Sequence, residues 1–264
     1  MRIALSDVSK GRAGQALPST TLEFHTGEVR YALAETEQRP TVLGLIASGR
    51  MRPDTGRVTI DGSADTKRLR RQVALVDAPD VSDPHPDISL AGVVGEELMF
   101  AGLGATPLHA RRWLSRLGYL ELSSVAIGNI DPAVRVRILC ELAVLRDGVE
   151  AIVLVSPDRH GGSPDGWWRI TREFAERGFA LLVIVGGSAA VALERVEELG
   201  AVNASGPIPD DATRSLSEER SDETKGSRQP DDAPRSPSEE RSDETKGAPH
   251  PRTPHPDDTK GAAS

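Results

Sequence analysis

The chain has 264 residues and a formal net charge of −8 at pH 7. This acidic balance argues against broad nucleic-acid binding, so we expect no nucleic-acid partner. No apolar run approaches the roughly 18 residues that a membrane-spanning helix needs, and residues 1–10 lack a signal-peptide pattern. We therefore predict a cytoplasmic chain without direct membrane insertion. The single cysteine, Cys140, lies in an apolar segment and is expected to be a small buried residue.

The N-terminal part of the chain follows the pattern of strand, loop, helix, turn and strand. Residues 2–8 alternate as an edge strand, and residues 22–24 can pair with them. Residues 29–33 form a short run typical of a buried strand, and residues 41–47 are apolar enough for a helix covered by a sheet. Residues 53–60 begin with turn chemistry and then alternate as a strand from position 57.

The middle of the chain predicts one more strand and then helices. Residues 69–76 end in a buried strand, and residues 80–87, rich in proline and aspartate, are expected to form an exposed loop. A helix is predicted from about Ser89, whose side chain can cap it. Residues 107–118 predict an amphipathic helix with solvated arginines. Its predicted apolar side consists of Leu108, Trp113, Leu114 and Leu117.

The second half contains two continuous apolar runs, at residues 151–155 and 179–185. Such runs are typical of central parallel strands, and we expect these two to be neighbours. Helices are predicted at 136–145, 164–177 and 189–199. The predicted buried side of the helix at 164–177 consists of Trp168, Ile170, Phe174 and Ala175, and we expect only partial burial for Trp167.

The composition changes near residue 201. Two tandem copies with a period of 21 residues occupy 209–229 and 230–250, and Leu216 is the only large apolar residue after Pro209. Such a segment cannot bury enough apolar surface to offset the entropy cost of ordering. We therefore predict a disordered acidic repeat tail over 201–264.

The frame from Gly27 to Gly62 resembles the N-terminal part of an ABC-transporter ATP-binding subunit. The residues that carry this resemblance are Gly27-Glu28-Val29, Leu45-Ile46-Ala47 and PDTGRVTIDG at 53–62. The resemblance covers residues 1–200. It implies an α/β, P-loop NTPase-like ABC ATPase fold with a mixed sheet and with a helical subdomain near 88–130, followed by the tail.

The family binds phosphates with a glycine-rich loop, a lysine and a Ser or Thr hydroxyl for Mg²⁺. The corresponding segment here has no glycine and no lysine, and either Arg39 or Pro40 stands at the lysine position. The carboxylates of Glu35 and Glu37 suit a helix N-terminus but repel a triphosphate. The segment consists of Ala34, Glu35, Thr36, Glu37, Gln38, Arg39, Pro40 and Thr41.

The other nucleotide-handling motifs of the family are also altered. Asp77 begins the segment that replaces the family's glutamine, and Asn129 with its neighbours Ile130 and Asp131 replaces the serine-glycine-glycine signature. Ser156 and Pro157 stand at the magnesium aspartate and the catalytic glutamate. No histidine follows Gly186-Gly187-Ser188, where the switch histidine is expected. Because these parts act together in phosphoryl transfer, we predict that catalysis is lost.

The resemblance also implies partners. It implies a subunit at the inner face of the membrane that pairs with a membrane permease or a second ATP-binding subunit, docking through residues 77–87. We predict a non-catalytic structural or regulatory partner of a transporter, a pseudo-ATPase with no catalytic residues, no metal site and no cofactor. The alternative is a divergent but active ABC-type ATPase, which would bind ATP and Mg²⁺ with Thr41 as hydroxyl ligand.

Overall fold

A computed structural model of the chain describes residues 1–35 and 39–204, with side chains described as far as residue 195. These residues lie within one unit, Met1–Pro207. Thr36, Glu37, Gln38 and residues 205–264 lie outside the described part, so most of the predicted tail does too. The last described helix continues through residues 201–204, and the disordered tail stays a prediction.

Strands and helices alternate along most of the described chain. The strands are β1 (Arg2–Lys10), β2 (Leu17–His25), β3 (Val29–Leu33), β4 (Thr55–Ile60), β5 (Val73–Val76), β6 (Ala151–Val155) and β7 (Ala180–Val185). The α-helices are α1 (Arg39–Ala47), α2 (Thr66–Gln72), α3 (Leu90–Phe100), α4 (Pro107–Leu117), α5 (Pro132–Ala143), α6 (Pro164–Glu176) and α7 (Gly187–Ala204). Short 3-10 helices lie at Arg12–Gly14, Leu120–Leu122, Ile127–Asn129 and Pro157–His160.

The strands form two sheets rather than the single mixed sheet that the resemblance implied. The smaller sheet is antiparallel, in the order β2-β1-β4, and Ile3 pairs with both Phe24 and Ile60. The larger sheet is entirely parallel, in the order β3-β7-β6-β5. The predicted pairing of 22–24 with 2–8 and the parallel pairing of 151–155 with 179–185 are both confirmed. The prediction of an edge strand at 2–8 is wrong, because β1 pairs with strands on both sides.

The parallel sheet is covered on both faces. Alternate side chains of β6 point to opposite sides, because successive residues of a strand do so. Ile152 and Leu154 join one apolar cluster with residues of α5 and α6, whereas Val153 and Val155 join a second cluster with residues of α1 and the antiparallel sheet. α1 packs closely, since a Cβ on Gly44 would lie 2.8 Å from Val155 Cγ2. Burial on both faces explains the continuous apolar runs of β6 and β7.

β3 corrects one prediction about the core. Its sequence predicts a buried strand, but β3 lies at the edge of the parallel sheet and is only partly buried. The side chain of Leu33 is 58% exposed. An edge strand has a sheet neighbour on one side only, and the apolar run alone does not reveal that position.

Side-chain caps fix the starts of several helices. Ser89 Oγ accepts a hydrogen bond from Gly92 N at 3.2 Å, which confirms Ser89 as the cap of α3. Asp131 Oδ1 accepts from the backbone N–H groups of Ala133 and Val134 at 2.9 and 3.1 Å. Because of this cap, α5 begins at Pro132 and not at the predicted position 136.

The predicted faces of two helices need correction. In α4, Leu108 is 55% exposed, while Ala110 lies on the buried side with Trp113 and Leu114. In α6, both tryptophans are buried, although partial exposure was expected for Trp167. The burial of Cys140 is confirmed, and burial also raises the pKa of its thiol.

Between β5 and α5, the described elements are α3, α4 and short 3-10 helices. Their division into a separate helical subdomain near 88–130 stays a prediction. Within the described residues, no helix combines the length and the apolarity needed to cross a bilayer.

Candidate functional site

The parallel sheet brings the predicted motif positions together at one edge. β3, β7, β6 and β5 all end at this edge, which we call the carboxyl edge. In open α/β sheets, ligands bind in the crevice outside the carboxyl ends of the strands. The residues that follow these four strands are Ala34 and Glu35, Gly186 and Gly187, Ser156, and Asp77.

Two of these residues have left-handed backbone conformations. Asp77 has φ 58° and Ser156 has φ 48°, a region that L-residues other than Asn and Asp rarely occupy. The N–H of Ser156 donates to the carbonyl oxygen of Ile184 at 2.8 Å, so β7 holds this turn in place. Strained backbone conformations of this kind persist only where surrounding contacts hold them in place, and they are found most often at active sites and ligand-binding sites.

Asp77 is the centre of a buried charge cluster. Its side chain is fully buried, and Oδ1 lies 2.6 Å from Arg135 Nη2 and 3.1 Å from Arg159 Nη2. Oδ2 lies 2.9 Å from Nε2 of His160 and accepts from Arg135 Nε at 3.3 Å. Asp83 also pairs with Arg159, with a distance of 3.4 Å between Asp83 Oδ2 and Arg159 Nη2. This cluster ties the end of β5 to α5 and to the turn after β6.

The cluster keeps Asp77 ionised. Burial pushes the pKa of its carboxyl upward, but hydrogen bonds from His160 and Arg135 and the charges of Arg135 and Arg159 outweigh that effect. The pKa of Asp77 is therefore lowered to about 2. The Asp77 carboxylate therefore links three basic side chains of the fold. Both of its oxygens already contact these side chains, which leaves neither oxygen free for a metal or a substrate.

Sequence reasoning missed Arg135, which is only 2% exposed. Its signal was available, because Arg135 interrupts an apolar stretch of α5 between Val134 and Val136. A charged side chain on a buried helix face needs a counter-charge, but the sequence does not indicate which of many carboxylates supplies it.

Two carboxylates lie at the start of α7. A Cβ on Gly187 would be 2.1 Å from Glu35 Oε1, so the glycine leaves the space that this carboxylate occupies. Asp158 Oδ2 accepts from the N–H of Gly186 at 3.2 Å. Asp158 Oδ1 is buried and finds no hydrogen-bond partner in the described part of the chain. Negative charge at a helix N-terminus is favourable for the helix dipole.

The predicted phosphate-loop segment is only partly described. Ala34 is buried, and its N–H donates to the carbonyl oxygen of Val185 at 3.0 Å. Arg39 and Pro40 open α1, and Pro40 is buried while Thr41 is half-buried. Arg39 Nε is buried and has no hydrogen-bond partner among the described residues. Across residues 1–35 and 39–204, no group of three or more His, Cys, Asp and Glu side chains could hold a metal ion.

The parallel sheet with helices on both faces defines an α/β protein with an open, doubly wound sheet. Solved structures similar to this chain include ATP-binding subunits of ABC transporters, and the chain has the ABC ATPase fold. No protein-family model matches the chain, and no curated protein matches it.

Three solved structures illustrate the similarity. A bacterial ABC transporter cassette in dimeric form has a TM-score of 0.53 and 18% identity, over 72% of this chain and 90% of that chain. Its post-hydrolysis state bound to ADP and Pi gives the same values. An ABC transporter ATP-binding protein from Pyrococcus furiosus has a TM-score of 0.50 and 14% identity, over 70% of this chain and 92% of that chain.

Proposed function

We propose that this chain is a non-catalytic subunit with the ABC ATPase fold that acts as a structural or regulatory partner of a membrane transporter. The observation that carries the proposal is the position of Glu35. Its carboxylate lies against Gly187 at the carboxyl edge, within the segment that resembles the family's phosphate loop. A carboxylate there repels the phosphates that this loop would otherwise bind.

The residues at the carboxyl edge do not fit a magnesium triphosphate. Residues 34–41 lack the glycines whose N–H groups could turn toward phosphates. Asp77 already accepts from Arg135 and lies within hydrogen-bond distance of His160. Pro157 cannot activate water, and Ser156 offers a hydroxyl where the family has a metal-binding carboxylate. We therefore derive no hydrolytic step for this chain.

Steady-state ATP turnover tests the non-catalytic assignment. The purified full chain should release no phosphate from Mg-ATP above the buffer rate. The Pro157→Glu variant should be equally inactive, because the missing parts of a phosphoryl-transfer site act as a unit. Magnesium-dependent turnover that Thr41→Ala abolishes would establish the alternative, a divergent but active ABC-type ATPase.

We infer that the partner is a membrane permease or a second ATP-binding subunit, which would place the chain in the cytoplasm at the inner face of the membrane. The dimeric cassette with the same fold supports such pairing. Asp77 is buried and cannot contribute to a docking surface, so the predicted surface at 77–87 narrows to residues 80–87. Most of these residues are exposed, including Val81.

Matched substitutions test this docking surface. Val81→Asp places a charge on the loop, whereas Val191→Asp places one on α7 at nearly the same exposure, 50% against 51%. A tagged chain should recover a permease or a second ATP-binding subunit from native membranes. Val81→Asp should reduce that recovery, and Val191→Asp should leave it unchanged. Equal recovery with all three chains would remove residues 80–87 from the interface.

A further inference from the structure

Four arginines converge at the edge of the parallel sheet opposite the carboxyl edge. Arg50 lies beyond the end of α1, Arg70 and Arg71 lie in the last turn of α2, and Arg146 lies beyond α5. Together they line one cavity of about 430 Å³, which also contacts Val73, the first residue of β5. We call these four residues the arginine cluster.

The positive charge of the arginine cluster is not balanced by its surroundings. In the described part of the chain, none of the four guanidinium groups forms an ion pair. Acids near the cluster include Asp147, which lines the cavity, and Glu97, whose pKa is raised chiefly by burial although the charge of Arg146 opposes that rise. Of the residues that line the cavity, four are arginines and one, Asp147, is acidic.

The guanidinium groups also lie close enough to repel one another. The pKa of Arg50 is lowered by burial first and then by the charges of Arg146 and Arg70. Like charges that share a partly buried cavity destabilise the empty state. A bound anion would remove this repulsion.

Single arginines in the cluster have structural roles, but these roles do not explain the convergence. Arg50 Nη1 donates to the carbonyl oxygens of Ser48 and Val73 at 3.2 and 2.9 Å, which fixes its orientation. Arg70 and Arg71 lie where cations suit the dipole of α2. Arg146 Nε is buried and has no hydrogen-bond partner in residues 1–35 and 39–204.

We propose that the arginine cluster binds a small ligand that carries two or more phosphate groups. The planar guanidinium group donates two parallel hydrogen bonds to phosphate oxygens, so four such groups exceed what a single phosphate needs. A second cavity of about 560 Å³ shares Arg50 and Arg70 and adds Arg52 and Arg57, which gives further phosphate groups cationic partners.

The walls of the cavity favour a free small molecule over a membrane surface. Arg50 and Arg146 are half-buried in the cavity, where a free small molecule can reach them, whereas Arg70 and Arg71 are exposed at its rim. Phe100 lines the same cavity with a side chain that is 62% exposed, so an apolar part of the ligand can pack on its ring.

Calorimetric titration of the full chain with pyrophosphate, without Mg²⁺, tests the proposal. Arg70→Gln/Arg71→Gln should weaken pyrophosphate binding at least about tenfold, because these groups donate charge-assisted hydrogen bonds. Arg112→Gln/Arg116→Gln is the matched control, since it removes the same charge from α4, including its last-turn arginine. The control should bind like the parent chain.

Three outcomes would overturn the proposal. They are no pyrophosphate binding, equal weakening in both double variants, and binding only to phosphatidylcholine vesicles that contain phosphatidic acid. If Arg70→Gln/Arg71→Gln does not fold, the thermal unfolding of the parent chain decides. Pyrophosphate should then raise its melting temperature more than sodium chloride of equal ionic strength, and an equal effect would also overturn the proposal.

Discussion

Asp77 is a charged side chain that the fold buries, and its neighbours make that burial tolerable. An isolated buried carboxylate would lose its hydration and shift toward its neutral form. Here Arg135, Arg159 and His160 surround the carboxylate. Arg135 comes from α5, whereas Arg159 and His160 come from the 3-10 helix at Pro157–His160. Asp77, which follows β5, therefore stabilises the fold at the carboxyl edge through these ion pairs. This structural role does not require a bound nucleotide.

Asp77→Asn should lower the free energy of unfolding by about 3 kcal/mol at pH 7, because Arg135 would remain buried without its counter-charge. The pKa of Asp77 is about 2 in the folded chain, against an ordinary value of 3.8. A lowered folded-state pKa contributes stability above the ordinary pKa, and this contribution is lost as the pH falls through the folded value. The difference between the two chains should therefore shrink as the pH falls from about 4 toward about 2.

Urea unfolding at several pH values measures this difference. Asp87→Asn is the control, because the Asp87 side chain is 89% exposed and, among the described residues, pairs only with His85 at 3.8 Å. The control should unfold like the parent chain at every pH. A stability difference for Asp77→Asn that does not change between pH 7 and pH 3 would show that its carboxylate is not the titrating group.

Among the elements, β4 shows how a turn sequence becomes part of a sheet. Residues 53–56 have turn chemistry, yet β4 already begins at Thr55. The pairing of β1 with β4 is irregular between Ser6 and Ser9, opposite this start. Gly56 has φ 71° at that irregularity, and a Cβ there would lie 2.2 Å from the carbonyl oxygen of Ser6. The glycine therefore permits both the backbone conformation and the close approach of β1.

Gly56→Ala should destabilise the chain by about 3 kcal/mol, because it adds a steric clash with backbone to an unfavourable φ. Gly62→Ala separates the two effects. Gly62 has φ 79°, but a Cβ there would have no neighbour within 4 Å, so only the conformational cost of about 1 kcal/mol remains. Thermal and urea unfolding of both variants measure these costs. Equal destabilisation would mean that β1 moves to accommodate the methyl group.

For the whole molecule, stability is expected to come from residues 1–207. The parallel sheet has apolar clusters on both faces, and these clusters contain the described helices α1, α3, α4, α5 and α6. Residues 209–264 contain only Leu216 as a large apolar residue. They cannot add comparable burial to the core.

Deletion of residues 209–264 should leave the melting temperature unchanged within about 1 °C, because little apolar burial is lost. Differential scanning calorimetry of the full and shortened chains measures this change. A replacement of the tail by a glycine-serine segment of equal length is the control for chain length. A loss of several degrees on deletion, restored by the native tail but not by the replacement, would contradict the prediction.

The amino-acid sequence by itself determined the elements whose signals are local. Continuous apolar runs predicted β6 and β7 as parallel neighbours, Ser89 predicted the start of α3, and the apolar surroundings of Cys140 predicted its burial. These signals succeed because strand periodicity, capping and burial depend on residues close in sequence. The absence of glycine and lysine from residues 34–41 is likewise evident without a structure.

The tertiary structure alone decided which distant side chains meet. Asp77 and Arg135 are 58 positions apart, and the arginine cluster combines residues that follow or end three different helices. Edge position likewise left β3 half-exposed despite its apolar sequence. A charged residue within an apolar stretch, such as Arg135, indicates that a buried counter-charge is needed. Which residue supplies that counter-charge depends on the order of strands and on the packing of helices against them. Those are long-range properties, and no local pattern contains them.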